Sequence, residues 1–211
     1  MDAEGFRRRS GVSRETLKRL QDLETLLRRW NPRINLVSRS TLDQFWSRHV
    51  LDSWQLVPLV PGDAATWVDL GSGGGFPGLV AAATHPARMT LIESDARKCV
   101  FLREAARTMG VGIEVINRRI EDVTDLTGDI VSARALAPLP RLLGWAAPFM
   151  RDGSTGAFLK GQDVEIELTE ATKCWKFNWE RHESLSDGAG SILLVRGLEQ
   201  HGKSHSPSAC P

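Results

Sequence analysis

The chain has 211 residues, 41% of them hydrophobic and 25% charged, with a net charge of +1. That is enough chain for one sizeable buried core and a single domain with an added helical segment. Neither the polar start nor any later segment offers the apolar run of a secretory leader or a membrane helix, so a soluble, cytoplasmic protein is expected. Charge is uneven along the chain: residues 1–50 carry 11 Lys/Arg against 6 Asp/Glu, and the remainder 16 against 20. The basic end suits a solvated helix face or a surface that meets a polyanion. Cys99, Cys174 and Cys210 are odd in number and far apart, which suggests neither a disulfide framework nor a metal knuckle, and no metal is expected.

In chain order, Leu17, Leu20, Leu23, Leu27 and Trp30 recur at helical spacing after Ser13, predicting an amphipathic helix near 13–30 that Pro32 ends. A second helix is expected from Ser40 or Thr41 through Trp54, with Arg48 placed to pair with Asp52. These helices would form an N-terminal cap over residues 1–62. From Thr66 the pattern becomes short apolar runs separated by helical stretches, the mark of strand-helix units and a mainly parallel sheet. The expected strands are Trp67–Leu70, Met89–Glu93, Ile113–Asn117, Ile130–Ala133 and Ala157–Leu159, with helices at 77–84, 96–109, 139–150 and 164–175. Phe177–Glu183 and Ile192–Val195, around Gly188 and Gly190, read as a final hairpin that brings an antiparallel strand into the sheet. The core would span 63–198, and 199–211 reads as a polar, disordered tail.

The chemistry concentrates in Asp69-Leu70-Gly71-Ser72-Gly73-Gly74-Gly75-Phe76-Pro77-Gly78. A strand, close glycines and a proline opening a helix let a ligand approach backbone and a helix N-terminus. The run Gly73 to Gly78 also satisfies the dinucleotide fingerprint G-x-G-x-x-G, which is weak alone. Asp69, read at the mouth of the site, would repel a pyrophosphate and favour the sulfonium and ammonium of S-adenosylmethionine. The bulky Phe76-Pro77 pair, where a dinucleotide loop brings bare backbone to its phosphates, points the same way. Glu93 ends the second strand where an acidic side chain accepts ribose hydroxyls, while Asp95 is the better cap for the next helix. After the third strand, Arg118-Arg119-Ile120-Glu121-Asp122 offers an apolar side chain for an adenine and carboxylates beside it. Arg134 closes the fourth strand at the carboxyl edge of the sheet, where open parallel sheets bind ligands.

Four stretches resemble the RsmG family, also called GidB: Trp30-Asn31-Pro32-Arg33-Ile34-Asn35-Leu36-Val37-Ser38; Arg48-His49-Val50-Leu51-Asp52-Ser53; the glycine loop with Phe76-Pro77-Gly78; and Ser132-Ala133-Arg134-Ala135 with Leu159-Lys160-Gly161-Gln162. The first, second and last are not general methyltransferase motifs. The resemblance spans Trp30 to Val195 and implies a Rossmann-like class I methyltransferase with a mainly parallel seven-stranded sheet and an antiparallel last strand. It implies transfer of a methyl group from S-adenosylmethionine to N7 of a guanine, guanine 527, in the 530 loop of 16S rRNA, in naked rRNA or a small-subunit particle. Carried over by position, cofactor contacts fall on Gly71, Phe76, Ile120, Glu121 and Arg134, to which the reading of the residues adds Gly73 and Glu93. The basic groove falls on Arg119, Arg134 and Lys160. His49 is weighed between a packed or capping role and contact with substrate, and is kept as a substrate-binding candidate. The pattern departs at Gly74, where many relatives carry Ala or Pro.

Guanine N7 has an exposed lone pair and no proton to lose, so no proton-transfer residue is required, and a monomer acting by positioning is expected. Three rivals stand beside this reading: the same fold acting on another RNA, a protein or a small molecule; a nicotinamide oxidoreductase; and a non-catalytic RNA-binding module that keeps the pocket for stability.

Overall fold

The computed structural model describes residues 1–186 and 188–201. It opens with a helix absent from the expectations, α1 (Ala3–Ser10). The Asp2 carboxylate accepts from the Gly5 amide at 2.7 Å, and Gly11 ends the helix in the left-handed region. Phe6 is its one buried residue and packs its ring against Trp46 and Trp54.

Next, α2 (Arg14–Ile34) starts at the expected Ser13 cap and buries Leu17, Leu20, Leu23 and Leu27. It does not stop at Pro32. A proline in the last turn removes only one helical hydrogen bond, and the residue before it is pinned. The Asn31 side-chain amide donates to the Val37 carbonyl at 3.0 Å and accepts from the Val37 amide at 2.9 Å. The helix closes at Asn35, whose φ is 47°. The second expected helix is broken into α3 (Arg39–Leu42), a π-helical turn (Phe45–Leu51) and α4 (Asp52–Trp54).

The remainder alternates as expected: β1 (Thr66–Leu70), α5 (Gly78–Thr84), β2 (Arg88–Ile92), α6 (Ala96–Met109), β3 (Ile113–Ile116), β4 (Gly128–Arg134), α7 (Leu139–Ala146), β5 (Met150–Lys160), α8 (Val164–Ala171), β6 (Trp175–Glu183) and β7 (Ser191–Gln200). The strands form one seven-stranded sheet in the order β3-β2-β1-β4-β5-β7-β6, with β7 antiparallel to both neighbours. Several boundaries move, among them the end of α8, at Ala171 rather than 175, and the start of β6, at Trp175 rather than Phe177. β5 begins at Met150 rather than near Ala157, and α7 gives way at Ala147 to a 3-10 turn. β7 continues through Glu199 and Gln200, which were read as tail; residues 202–211 of that tail lie outside the described residues.

The sheet is covered on both faces. Trp67 and Met89 pack with Leu27, Leu79 and Phe101 from α2, α5 and α6, while Val68, Leu70 and Phe158 pack with Leu142, Val164 and Leu168 from α7 and α8. Each such side chain contributes roughly 1.5–3 kcal/mol on burial. Together they fix the carboxyl ends of β1, β2 and β4 beside one another. Cys99 is a buried free thiol. No helix among the described residues is long and apolar enough to cross a membrane.

Candidate functional site

At the end of β1 the chain turns through Gly71, Gly73 and Gly75, with φ of 63°, 55° and 88°, before α5 begins. Only glycine adopts such a series without strain. The Ser72 amide donates to Ile92 at 3.0 Å, and the Gly75 amide to Ser72 at 2.7 Å. The Gly73 amide donates to Glu93 Oε2 at 2.8 Å. The N-terminal segment closes on this loop: a Cβ on Gly74 would lie 3.1 Å from the Leu36 carbonyl oxygen. The room left at that position is therefore small, which gives Gly74 a packing reason of its own.

Above the loop lies a cleft of ≈ 780 Å³, walled by Leu36–Ser38, the Ala135–Pro138 segment after β4, Lys160–Gln162 at the end of β5, and Gly190–Ser191. Gly71, Gly73, Phe76, Arg134, Lys160 and His49 all line it, so the structure brings together six of the sequence candidates. Its size falls in the range of sites for nucleotide-sized ligands.

Arg134 is the hub. Its guanidinium donates to the Arg48 carbonyl at 2.9 Å, approaches Asp52 Oδ2 at 3.5 Å, and donates to His49 Nδ1 at 3.1 Å. It also lies over the Phe76 ring at 5.1 Å, while His49 stacks on the same ring at 4.8 Å. Because Arg only donates, His49 Nδ1 is the acceptor and the imidazole proton sits on Nε2, which is buried without a partner among the described residues. The π-helical turn takes part in this arrangement, since it supplies both Arg48 and His49; such turns recur at functional sites. Asp52 in turn accepts from Gln55 at 3.0 Å and Ser186 at 2.6 Å, and Gln55 also holds Ser184 and the Leu185 amide. The hairpin turn before β7 is thereby tied to the N-terminal helices.

Lys160 lines the cleft with its charge already spent. Its ammonium meets Glu167 at 2.5 Å and the Ala137 carbonyl at 2.9 Å, and its side chain is 7% exposed. Glu167 also accepts from the Leu139 amide at 2.5 Å. The pair holds the Ala135–Pro138 segment, in which Ala135 has the left-handed φ of 49°.

Other candidates stand elsewhere. Asp69 does not face the cleft: it lies wholly buried on the Trp67 side of β1, with Oδ1 accepting from Ser132 at 2.7 Å and Gly78 packed against Oδ2. The electrostatic argument that placed it at the mouth fails, because strand alternation sends it to the α5 side. Glu93 is buried as a loop support, its two oxygens accepting from Gly73 and Asp95; Asp95 caps α6 as expected. Arg119 and Glu121 are exposed and Ile120 is partly buried in a 3-10 turn, all three outside the lining of the cleft. Sequence reasoning missed the partners Glu167, Gln55 and Ser186. Asp52 was marked by the Arg48–Ser53 stretch and by its spacing from Arg48, but not as a partner of Arg134.

Two buried groups titrate in opposite senses. Burial, reinforced by the charges of Arg134 and Arg48, lowers the His49 pKa from 6.5 to about 3. Burial raises that of Asp69 from 3.8 to about 6, against hydrogen bonds from Ser132, Ser72 and Gly78 and the charge of Arg134. For His49 the unfolded chain takes up the proton first, so its contribution to stability falls as pH drops below 6.5. For Asp69 the folded chain takes it up first, so its contribution rises as pH falls from about 6 to 3.8. The two slopes offset each other in that window. Asp69→Asn is therefore expected to lose about 1.4 kcal/mol per pH unit on acidification that the native sequence does not. Urea denaturation at a series of pH values checks this, and parallel curves for the two proteins would refute it.

The sheet order, the antiparallel seventh strand and a glycine cleft at the carboxyl ends of β1 and β4 define a Rossmann-like methyltransferase. The fold is shared over 93% of this chain and 84% of a mutant MtNAS solved with S-adenosylmethionine, at 15% identity and a TM-score of 0.56. The pattern of GidB, rRNA small subunit methyltransferase G, matches residues 16–194, and the chain belongs to that family. It is 53% identical to the ribosomal RNA small subunit methyltransferase G of Parvibaculum lavamentivorans, over 98% of this chain and 93% of the relative. It is 52% identical to that of Paramagnetospirillum magneticum, over 95% and 98% respectively.

Proposed function

We propose that the chain transfers the methyl group of S-adenosylmethionine to N7 of guanine 527 in the 530 loop of 16S rRNA, as a cytoplasmic monomer. The observation that carries this reading is the cleft itself, in which the glycine loop of a methyltransferase meets three of the family's own stretches. The residues fit the cofactor: a Cβ at Gly73 would meet nothing nearer than 3.7 Å, so ligand atoms can approach the backbone there. Gly71, Gly73 and Phe76 would hold it, with Glu93 fixing the loop from below. When bound, the cofactor supplies an electrophilic methyl group.

The protein's part is positioning. Every titratable side chain lining the cleft already has a partner: His49 accepts from Arg134, Asp52 is held by Gln55 and Ser186, and Lys160 pairs with Glu167. Arg48 too is engaged. None is left as a base, which suits an acceptor nitrogen that has no proton to give up. An ordered polar cleft would instead orient donor and acceptor and exclude water. Family membership, rather than Asp69, sets the nicotinamide enzyme aside.

Mapping of N7-methylguanine in small-subunit rRNA from cells with and without the gene tests the reading. The modification is expected at guanine 527 only when the gene is present. An identical map in both would end the proposal, and a difference in another RNA would move the activity to that substrate.

A further inference from the structure

If the acceptor is an RNA, something must hold its phosphates, and the cations inside the cleft are already engaged. Arg134 serves Asp52, His49 and the Arg48 carbonyl, and Lys160 serves Glu167 and Ala137. Most cations along α2 are paired as well: Lys18 with Asp22, Arg19 with Glu15, Arg28 with Glu24, and Arg29 with Glu104. Arg33 and Arg39 differ. Both are exposed, and among the described residues neither has an ion-pair or hydrogen-bond partner. They flank the segment Asn35–Ser38, whose Leu36, Val37 and Ser38 form a wall of the cleft. That segment is fixed by Asn31 and packed on Gly74, so the two guanidiniums stand on a rigid lip rather than on a loose loop.

We infer that Arg33 and Arg39 form the phosphate-binding lip of this protein, receiving backbone phosphates of the strand whose base enters the cleft. The inference rests on the RNA reading of the preceding subsection and adds to it where the backbone is gripped. Phosphate contacts set register and orientation without reading bases, and each one neutralised releases counterions, so binding falls steeply with salt.

The test is binding and methylation of small ribosomal subunits from cells lacking the gene, across a salt series. For Arg33→Ala/Arg39→Ala the slope of log affinity against log salt is expected to become shallower by about 1 to 2, as two phosphate contacts require. KM for the particle rises, while kcat and calorimetric uptake of S-adenosylmethionine stay as in the native protein. Arg33→Lys/Arg39→Lys keeps the slope, and Arg29→Ala, whose partner is Glu104, leaves it unchanged. A native slope in the double alanine variant, with the native protein binding normally, overturns the inference alone. A native protein that neither binds nor methylates the particles overturns the RNA reading, and this inference with it.

Discussion

Arg134→Met is expected to lower methyl transfer by about 100-fold or more and to leave a folded but weakened protein. The change removes the donor from the Arg48 carbonyl, His49 Nδ1 and Asp52, and the cation from the face of Phe76. Leaving buried acceptors unmet costs roughly 2–4 kcal/mol, since each loses its partner without regaining water. In a chain of this size that corresponds to a fall in Tm of about 5–15 °C. The activity loss has a separate origin: His49 and the π-helical turn lose the contact that fixes them beside Phe76, and a displacement of about 1 Å in a positioning site costs on the order of 100-fold. His49 gives an independent readout, because the Arg134 charge helps to lower its pKa. Its imidazole resonances should titrate at higher pH in the variant. Arg134→Lys should recover part of the stability and little of the activity, as one ammonium cannot reproduce the planar fork. Activity within twofold of native in Arg134→Met would show that this hub does not serve the reaction.

Gly75→Ala should abolish uptake of S-adenosylmethionine. Gly75 has φ 88°, where a side chain is strained, and an added Cβ would lie 2.3 Å from Leu79 Cδ1 and 3.2 Å from Leu102 Cδ2. Leu79 and Leu102 are both fully buried, so neither can move aside cheaply. Backbone strain and overpacking together cost about 2–5 kcal/mol, and the cheapest relief is to distort the loop itself. Calorimetric titration and thermal denaturation read the two consequences. Gly62→Ala is the matched control, since its Cβ would meet nothing within 4 Å and its φ is ordinary. Cofactor binding by Gly75→Ala at native affinity would sever the link between this loop and the ligand.

Much of this architecture was legible in the chain. The strand-helix alternation, the glycine turn, the Ser13 and Asp95 caps and the closing hairpin follow from local chemistry, and local chemistry is what a sequence displays. The π-helical turn was hidden because its geometry is set by Arg134 reaching Arg48 from 86 residues away. The Lys160–Glu167 pair was hidden for a similar reason: it joins a strand end to a helix, and no spacing rule announces it. α1 carried its signs in Asp2 and Gly11, yet a single buried Phe6 gives no periodicity to read. Asp69 is a different kind of miss. It shares strand parity with Trp67, not with Val68 and Leu70, and that alternation alone places it under α5. Pro32 failed as a stop because Asn31 was bonded beyond the helix, to Val37.

The bonds from Asp52 and Gln55 to Ser184, Leu185 and Ser186 couple parts of the chain 129 to 134 residues apart. Translation delivers the first helices and the glycine turn early, but the knot that gathers them waits for the closing hairpin to emerge. These ties therefore close only once Ser186 has left the tunnel.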